Sequence, residues 1–215
     1  MNVLLDHFDL FREGFVKTVS LTGASALLAL VLGLIIAGFR VSPVPPLRWF
    51  GTAWVNVLRN TPLTVVFMVA VFVLPQILFP DWNYFVLATL ALGCYTSSFV
   101  CEAVRSGIST VPVGQAEAAR SIGMTFFQTL RIIVLPQATR TVLPPLSSIL
   151  IALTKNSAIA GAFNNPELFS VQKTLSDKGF NVMVIFIWVA LGYLIITFFI
   201  SGVFRLLERQ MEVAR

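Results

Sequence analysis

Five long apolar runs alternate with short polar stretches along this chain of 215 residues. They cover about 15–39, 62–80, 84–104, 137–162 and 182–204. Each is near or above the roughly 20 residues that cross the hydrocarbon core of a bilayer as a helix. The pattern predicts an all-α integral membrane protein with about five transmembrane helices. Residues 1–14 precede the first span, 15–208 form the membrane domain, and 209–215 are a short tail. The connections differ in kind. Residues 40–61 carry three arginines and no acid, and Pro43, Pro45 and Pro46 stop the first helix before a short amphipathic, interfacial one. Residues 80–83 make a tight turn. Residues 105–136 are charged and broken by glycine, and 163–181 are polar and mixed in charge.

Composition sharpens this reading. The chain is 57% hydrophobic and 12% charged, with a mean hydropathy of +0.86, whereas a soluble domain carries about 25% charged residues. The N-terminal MNVLLDHFDLFREGF is mixed in charge, and no cleavage site follows the first run, so that run is expected to be a permanent span rather than a signal peptide. The net charge of +5 fits basic loops on one side of a membrane rather than nucleic-acid binding. With the N-terminus outside, Arg40, Arg48, Arg59, Arg105, Arg120, Arg131, Arg140, Arg205, Arg209 and Arg215 fall inside. Arg12, Lys17, Lys155, Lys173 and Lys178 fall outside. That is ten of the 15 basic residues inside against five outside, the direction of the positive-inside rule. Loop 105–136 and the C-terminus are then cytoplasmic. Five spans do not divide into two equal halves, unlike the inverted repeats of many secondary transporters.

Candidate chemistry is sparse. There is no phosphate-cradling GxxxxGK[ST], no HExxH and no GxSxG, so neither a catalytic nor a metal site is expected. Cys94 and Cys101 are seven residues apart, about 10 Å along one helix face, too far for a disulfide. His7 has no partner motif and reads as solvated. Thr61 reads as an N-cap with Pro62 at the first helical position, and Glu102 pairs with Arg105 at (i, i+3). Charge within a span marks a candidate pathway. Arg140 and Lys155 lie about 22 Å apart along a straight helix, with Pro144 and Pro145 interrupting it. Either a cation here faces the pore and takes a carboxylate, or Arg140 and Lys155 snorkel to opposite interfaces. Asn156 and Ser157 would add hydrogen bonds beside Lys155.

The segment 117–136, EAARSIGMTFFQTLRIIVLP, carries the sharpest signal. Its spacing, EAA-x3-G-x9-I-x-LP, resembles the signature of importer permeases of the ATP-binding cassette class. RNTPLT (59–64) and PQATRTVLPPLSSILIALTKNSAIA (136–160) are similar to the corresponding stretches of polar amino-acid permeases, a resemblance that also implies a gating place on the substrate pathway for Thr61. RVSP near 40, RSGI (105–108), GQAEAARS (114–121) and ALTKN (152–156) resemble in particular actinobacterial glutamate-uptake permeases. The resemblance covers residues 15 to 208. It implies a type I importer permease fold with a cytoplasmic coupling-helix loop, in which Glu117, Ala118, Ala119, Arg120 and Gly123 dock on a separate ATPase. The residue types suit that role. Small alanines admit a close backbone, Glu117 and Arg120 offer polar contacts, and Gly123 turns the chain between two short helices. Pro136 suits the first turn of the helix that follows.

The resemblance further implies half of a translocation pathway for glutamate or a related polar amino acid, worked by alternating access in a bacterial cytoplasmic membrane. Its partners would be an ATPase homodimer holding ATP-Mg, a second permease chain (a paralogue), an extracellular solute-binding protein and the lipid bilayer. No cofactor on this chain is implied. A membrane enzyme would need a polar catalytic constellation near one interface. A channel or scaffold subunit would show no ATP-dependent uptake.

Overall fold

A computed structural model describes residues 2–78, 81–163 and 165–212. Phe79, Pro80 at the end of the second expected span, and Arg215 in the tail lie outside the described residues. The described chain is helical, in the order α1 (Asn2–Asp6), α2 (Phe8–Val41), α3 (Pro45–Asn60), α4 (Leu63–Met68), α5 (Leu74–Ile77), α6 (Tyr84–Ser109), α7 (Val113–Ser121), α8 (Phe126–Thr129), α9 (Leu135–Asn156), α10 (Ala158–Ala162), α11 (Leu168–Asp177) and α12 (Val182–Glu212). Among the described residues, α2, α6, the continuous run Phe126–Ala162 and α12 are long and apolar enough to cross a membrane. A fifth crossing exists if α3 and the run Leu63–Ile77, bent by 106°, act as one broken span.

Helix direction decides that point. In α2 and α6, Gly93 lies against Leu28 and Gly33 against Val100. Residue numbers rise together, so the two helices run parallel, and the chain between them must return across the molecule. That return is made by α4 and α5 with the π-helical turn joining them, while amphipathic α3 lies across the end where α2 stops. The buried stripe of α2 is Thr18, Leu21, Thr22, Ser25, Ala29, Gly33, Ile36 and Ala37. Its small residues let α6 approach closely, as membrane helix pairs require when lipid is as apolar as leucine. Helix α9 runs antiparallel to α6, with Val142 near Gly107. Helix α12 runs parallel to α2, since Thr18 and Tyr193 share a partner in Glu167 while Phe11 packs with Ile185 and Val189. The ends of α6 and α12 therefore lie at the α7 end of the bundle, and the start of α2 lies at the other.

Prolines explain the irregular turns. The tetrapeptide Val-Leu-Pro-Gln occurs at 73–76 and again at 134–137. Each copy follows a π-helical turn, Val69–Val73 and Leu130–Val134. In both, the leucine N–H bonds five residues back, Leu74 to the Val69 carbonyl and Leu135 to the Leu130 carbonyl. A proline clashes with the carbonyl four residues before it and offers that carbonyl no donor. A widened π turn removes the clash without ending the helix. Pro136 therefore does not open a new helix. The chain runs helically from Phe126 through it, so the expected pair of short helices is one short helix, α7, and the leading end of a long one. Pro144 and Pro145 likewise sit inside α9 without interrupting it. Two smaller expectations also change. Pro62, not Thr61, occupies the N-cap of α4, because the Thr61 hydroxyl donates back to the Val57 carbonyl. His7 packs edge-on against Phe180, with ring centroids 5.0 Å apart.

Candidate coupling loop and translocation cavity

The loop after α6 is built by two reciprocal caps. Helix α7 ends in a Schellman motif: Met124 N–H bonds the Ala119 carbonyl at 3.1 Å and Gly123 N–H bonds the Arg120 carbonyl at 2.9 Å. The motif needs a left-handed residue, and Gly123 has φ +88°. Two residues on, Thr125 and Gln128 form a capping box, with Gln128 N–H to Thr125 Oγ1 at 3.3 Å and Thr125 N–H to Gln128 Oε1 at 2.8 Å. The sequence T-x-x-Q signals this box, and it fixes where the long helix starts. Glu117, Ala118, Arg120 and Gly123 are exposed, while Ala119 is buried. The structure thus brings the five predicted residues onto one short element and turns all but Ala119 outward. Gln137 Nε2 reaches Gln115 Oε1 at 2.5 Å, which ties α7 directly to α9.

Sequence reasoning missed the apolar half of this surface. Ile122 is 80% exposed and Phe127 78%, with Val113 and Phe126 also exposed. Phe126 and Phe127 meet edge to face at 5.6 Å. Adjacent phenylalanines in the first turn after a Thr cap point in different directions, so at least one of them had to face outward.

The predicted pathway residues separate. A cavity of about 230 Å³ between α6 and α9 is lined by Tyr95, Thr96, Phe99, Ser148, Ala152 and Asn156, among others. Of the predicted set only Asn156 lies there. Lys155 is exposed outside this lining, and Arg140 is exposed further along α9. Ser157 is buried and donates to the Thr154 carbonyl at 2.7 Å. Thr61 lines an apolar groove with Val57, Val65 and Cys94.

Two carboxylates organise the charged and polar contacts around these elements. Glu102 on α6 accepts from Arg40 of α2 through Oε1. It accepts from Arg105 Nη2 and Nε through Oε2 at 3.0 and 3.2 Å, and Arg59 at the end of α3 stands 3.8 Å from Oε1. The predicted Glu102–Arg105 pair is therefore one side of a four-residue cluster. Glu167, fully buried, was not singled out in the sequence. It caps α11 in a reciprocal box with Ser170, whose N–H donates to Oε1 at 3.0 Å. Its Oε2 accepts from the Tyr193 hydroxyl and from Thr18 Oγ1 at 3.2 Å, and Thr18 also accepts from Leu168 N–H at 2.9 Å. Burial pushes the Glu167 carboxyl above the usual range, against the opposing pull of these hydrogen bonds.

Comparison with known proteins gives one consistent answer. The family model of binding-protein-dependent transport system inner membrane components matches residues 29–213. The chain is 37% identical over 212 residues to the "Probable glutamine ABC transporter permease protein GlnM" of Bacillus subtilis, covering 99% of this chain and 98% of that protein. It is 44% identical over 195 residues to the glutamate transport system permease protein GluC of Corynebacterium glutamicum, covering 85% and 86%. Among solved structures, an amino acid ABC transporter crystallised with histidines superposes with a TM-score of 0.88 at 30% identity, covering 96% of each chain. The inward-facing MetNI methionine ABC transporter superposes at 0.79 with 22% identity, a likeness of fold.

Proposed function

Because the chain belongs to the family of binding-protein-dependent transport system inner membrane components, we propose that it imports glutamate as one half of a two-chain pathway. It is a multi-pass membrane protein with the all-α permease fold and the permease subunit of an amino acid ABC transporter. It is not an enzyme: in these systems ATP is hydrolysed by a separate chain. Such a permease works with that ATPase and with another permease. The observation that carries the glutamate reading is the 44% identity to a glutamate permease over most of both chains. The glutamine relative, at 37%, makes glutamine the competing substrate.

In this reading the N-terminus is outside and the α7 end of the bundle is cytoplasmic. The ATPase is a homodimer that binds ATP-Mg, and the second permease is a paralogue. A solute-binding protein delivers the amino acid from outside. Glu117, Ala118, Arg120 and Gly123, with Ile122, Phe126 and Phe127 beside them, form the face the ATPase grips. Closure of the ATPase pushes α7, and the Gln115–Gln137 contact passes the push into α9, which lines the cavity. Asn156 and Ser148 offer neutral hydrogen-bonding groups along the way.

The test is uptake of radiolabelled glutamate, with unlabelled glutamine as competitor, in cells whose own system is deleted. Cells with the intact gene cluster are compared with cells carrying only Gly123→Pro, at equal membrane levels of the protein. The substitution removes a rigid αL cap and the N–H that closes the Schellman motif. Uptake should collapse. Unchanged uptake would refute the coupling role of this loop. No uptake of glutamate from the intact cluster, with glutamine taken up instead, would replace the substrate.

A further inference from the structure

The four-residue cluster around Glu102 has an unequal division of charge. Three guanidiniums share one carboxylate, which leaves the group with an excess of two positive charges. Arg40 holds Oε1 and Arg105 holds Oε2 with two N–H groups. Arg59 has only the 3.8 Å approach to an oxygen already taken, so Coulomb attraction is left without a hydrogen bond. The Arg40 side chain is 14% exposed, whereas that of Arg59 is 44% exposed. Arg59 is the cation the cluster holds least.

Its position is specific. The guanidinium lies over the ring of Phe99, 5.4 Å from the centroid, and Phe99 is a wall of the α6–α9 cavity together with Tyr95, whose ring centroid lies 5.2 Å from that of Phe99. A guanidinium stacked on an aromatic face keeps its in-plane N–H groups free to bind a planar anion. A carboxylate matches that fork. The polar side chains that line the cavity, Ser148, Thr96, Tyr95 and Asn156, are neutral, and Arg59 reaches it from behind Phe99. The charge set against the Phe99 wall, that of Arg59, is therefore positive and lacks a hydrogen bond to Glu102.

We propose that Arg59 receives a carboxylate of the transported amino acid at the α7-side edge of the cavity, exchanging its loose contact with Glu102 for the substrate. The proposal rests on the reading of the α6–α9 cavity as part of the pathway. Arg40 and Arg105 keep Glu102 neutralised during the exchange, so the substrate does not have to break an established pair. Every amino acid offers an α-carboxylate and glutamate offers a second, and Arg59 is suited to either.

The experiment uses the whole transporter, both permeases with the ATPase and the binding protein, reconstituted in proteoliposomes. Substrate moved per ATP hydrolysed is measured for glutamate and for glutamine in the wild type, Arg59→Gln and Arg59→Lys. Arg59→Gln should lower that ratio about tenfold, the factor for one lost hydrogen bond to a charged group. ATP hydrolysis stimulated by loaded binding protein should stay within about twofold, as the charge pairs of Arg40 and Arg105 are untouched. Arg59→Lys, which keeps the charge but neither the fork nor the stack, should recover part of the loss. An equal loss for both substrates assigns the α-carboxylate, and a loss for glutamate alone assigns the side chain. An unchanged ratio, or hydrolysis that falls in step with uptake and is not recovered by lysine, overturns the proposal. A wild-type complex that hydrolyses ATP but moves neither amino acid overturns the pathway reading, and the proposal with it.

Discussion

Glu102 and Glu167 each tie distant helices together, and they do so by opposite chemistry. Glu102, toward the α7 end, joins α2, α3 and α6 through three arginines. Glu167, buried between α2, α11 and α12, makes no ion pair among the described residues. Its partners are the Thr18 and Tyr193 hydroxyls and a backbone N–H. Guanidinium groups only donate, whereas hydroxyls donate and accept. The first site therefore demands a negative charge. The second demands shape and acceptors, and burial already favours its neutral form. The difference predicts that one and the same substitution will act very differently at the two positions.

Glu102→Gln should have the largest effect. The amide can present one oxygen, but its NH₂ must then face a guanidinium, donor against donor, with three positive charges left together. Breaking a fully buried pair costs about 3–5 kcal/mol. Since Arg59 and Arg105 are part-exposed, about 2–3 kcal/mol is expected here. The buried thiol of Cys101, next in sequence and free, provides the readout. Its labelling by a thiol-reactive dye during heating in detergent should begin at a clearly lower temperature. Labelling at the wild-type temperature would mean that the arginines do not depend on this carboxylate.

The second break is steric. A Cβ on Gly161 would stand 2.1 Å from Glu167 Oε1, so Gly161→Ala must push the carboxylate off its cap. Overpacking of this kind costs typically 1–3 kcal/mol, and the same melting assay should show a loss smaller than that of Glu102→Gln. A stable Gly161→Ala protein would show that α10 can move aside and that the Glu167 node is less fixed than its contacts imply.

The two carboxylates also mark how far the sequence could be read. The spans followed from apolar runs, and the Glu102–Arg105 pair followed from helix spacing. Arg40 and Arg59 reach Glu102 from 62 and 43 residues away, and local periodicity carries no information on such contacts. Glu167 sits in the polar stretch NPELFS, where a glutamate reads as solvated. Only the return of α11 between α2 and α12 buries it. The pathway reading weighed Arg140 and Lys155, against snorkelling to the interfaces, because a charge in a span is costly. The structure instead gives the cavity a neutral lining from α6 and α9, and sets Arg59 of α3 over its Phe99 wall, a contact that local pattern does not reveal. Gly123 was legible as a turn because a left-handed cap requires it, and the π turns were not, because they answer a backbone clash rather than a side-chain pattern.

Glu167→Gln should have the smallest effect, and it tests the comparison most directly. The amide oxygen can take the Ser170 N–H. The NH₂ then points to Thr18 and Tyr193, whose hydroxyls can rotate to accept from it while Thr18 keeps its bond from Leu168 N–H. Each hydroxyl oxygen and the amide keep a hydrogen-bond partner, the two hydroxyl protons lose Oε2 as acceptor, and no charge is stranded. A loss under about 1 kcal/mol is expected, the scale of exchanging one hydrogen-bonding group for another. Melting close to wild type at 167, beside a large drop for the same change at 102, would establish that one node needs an anion and the other only an acceptor. A drop at 167 as large as that at 102 would mean that Glu167 is ionised where it stands, with a positive group near enough to hold it so.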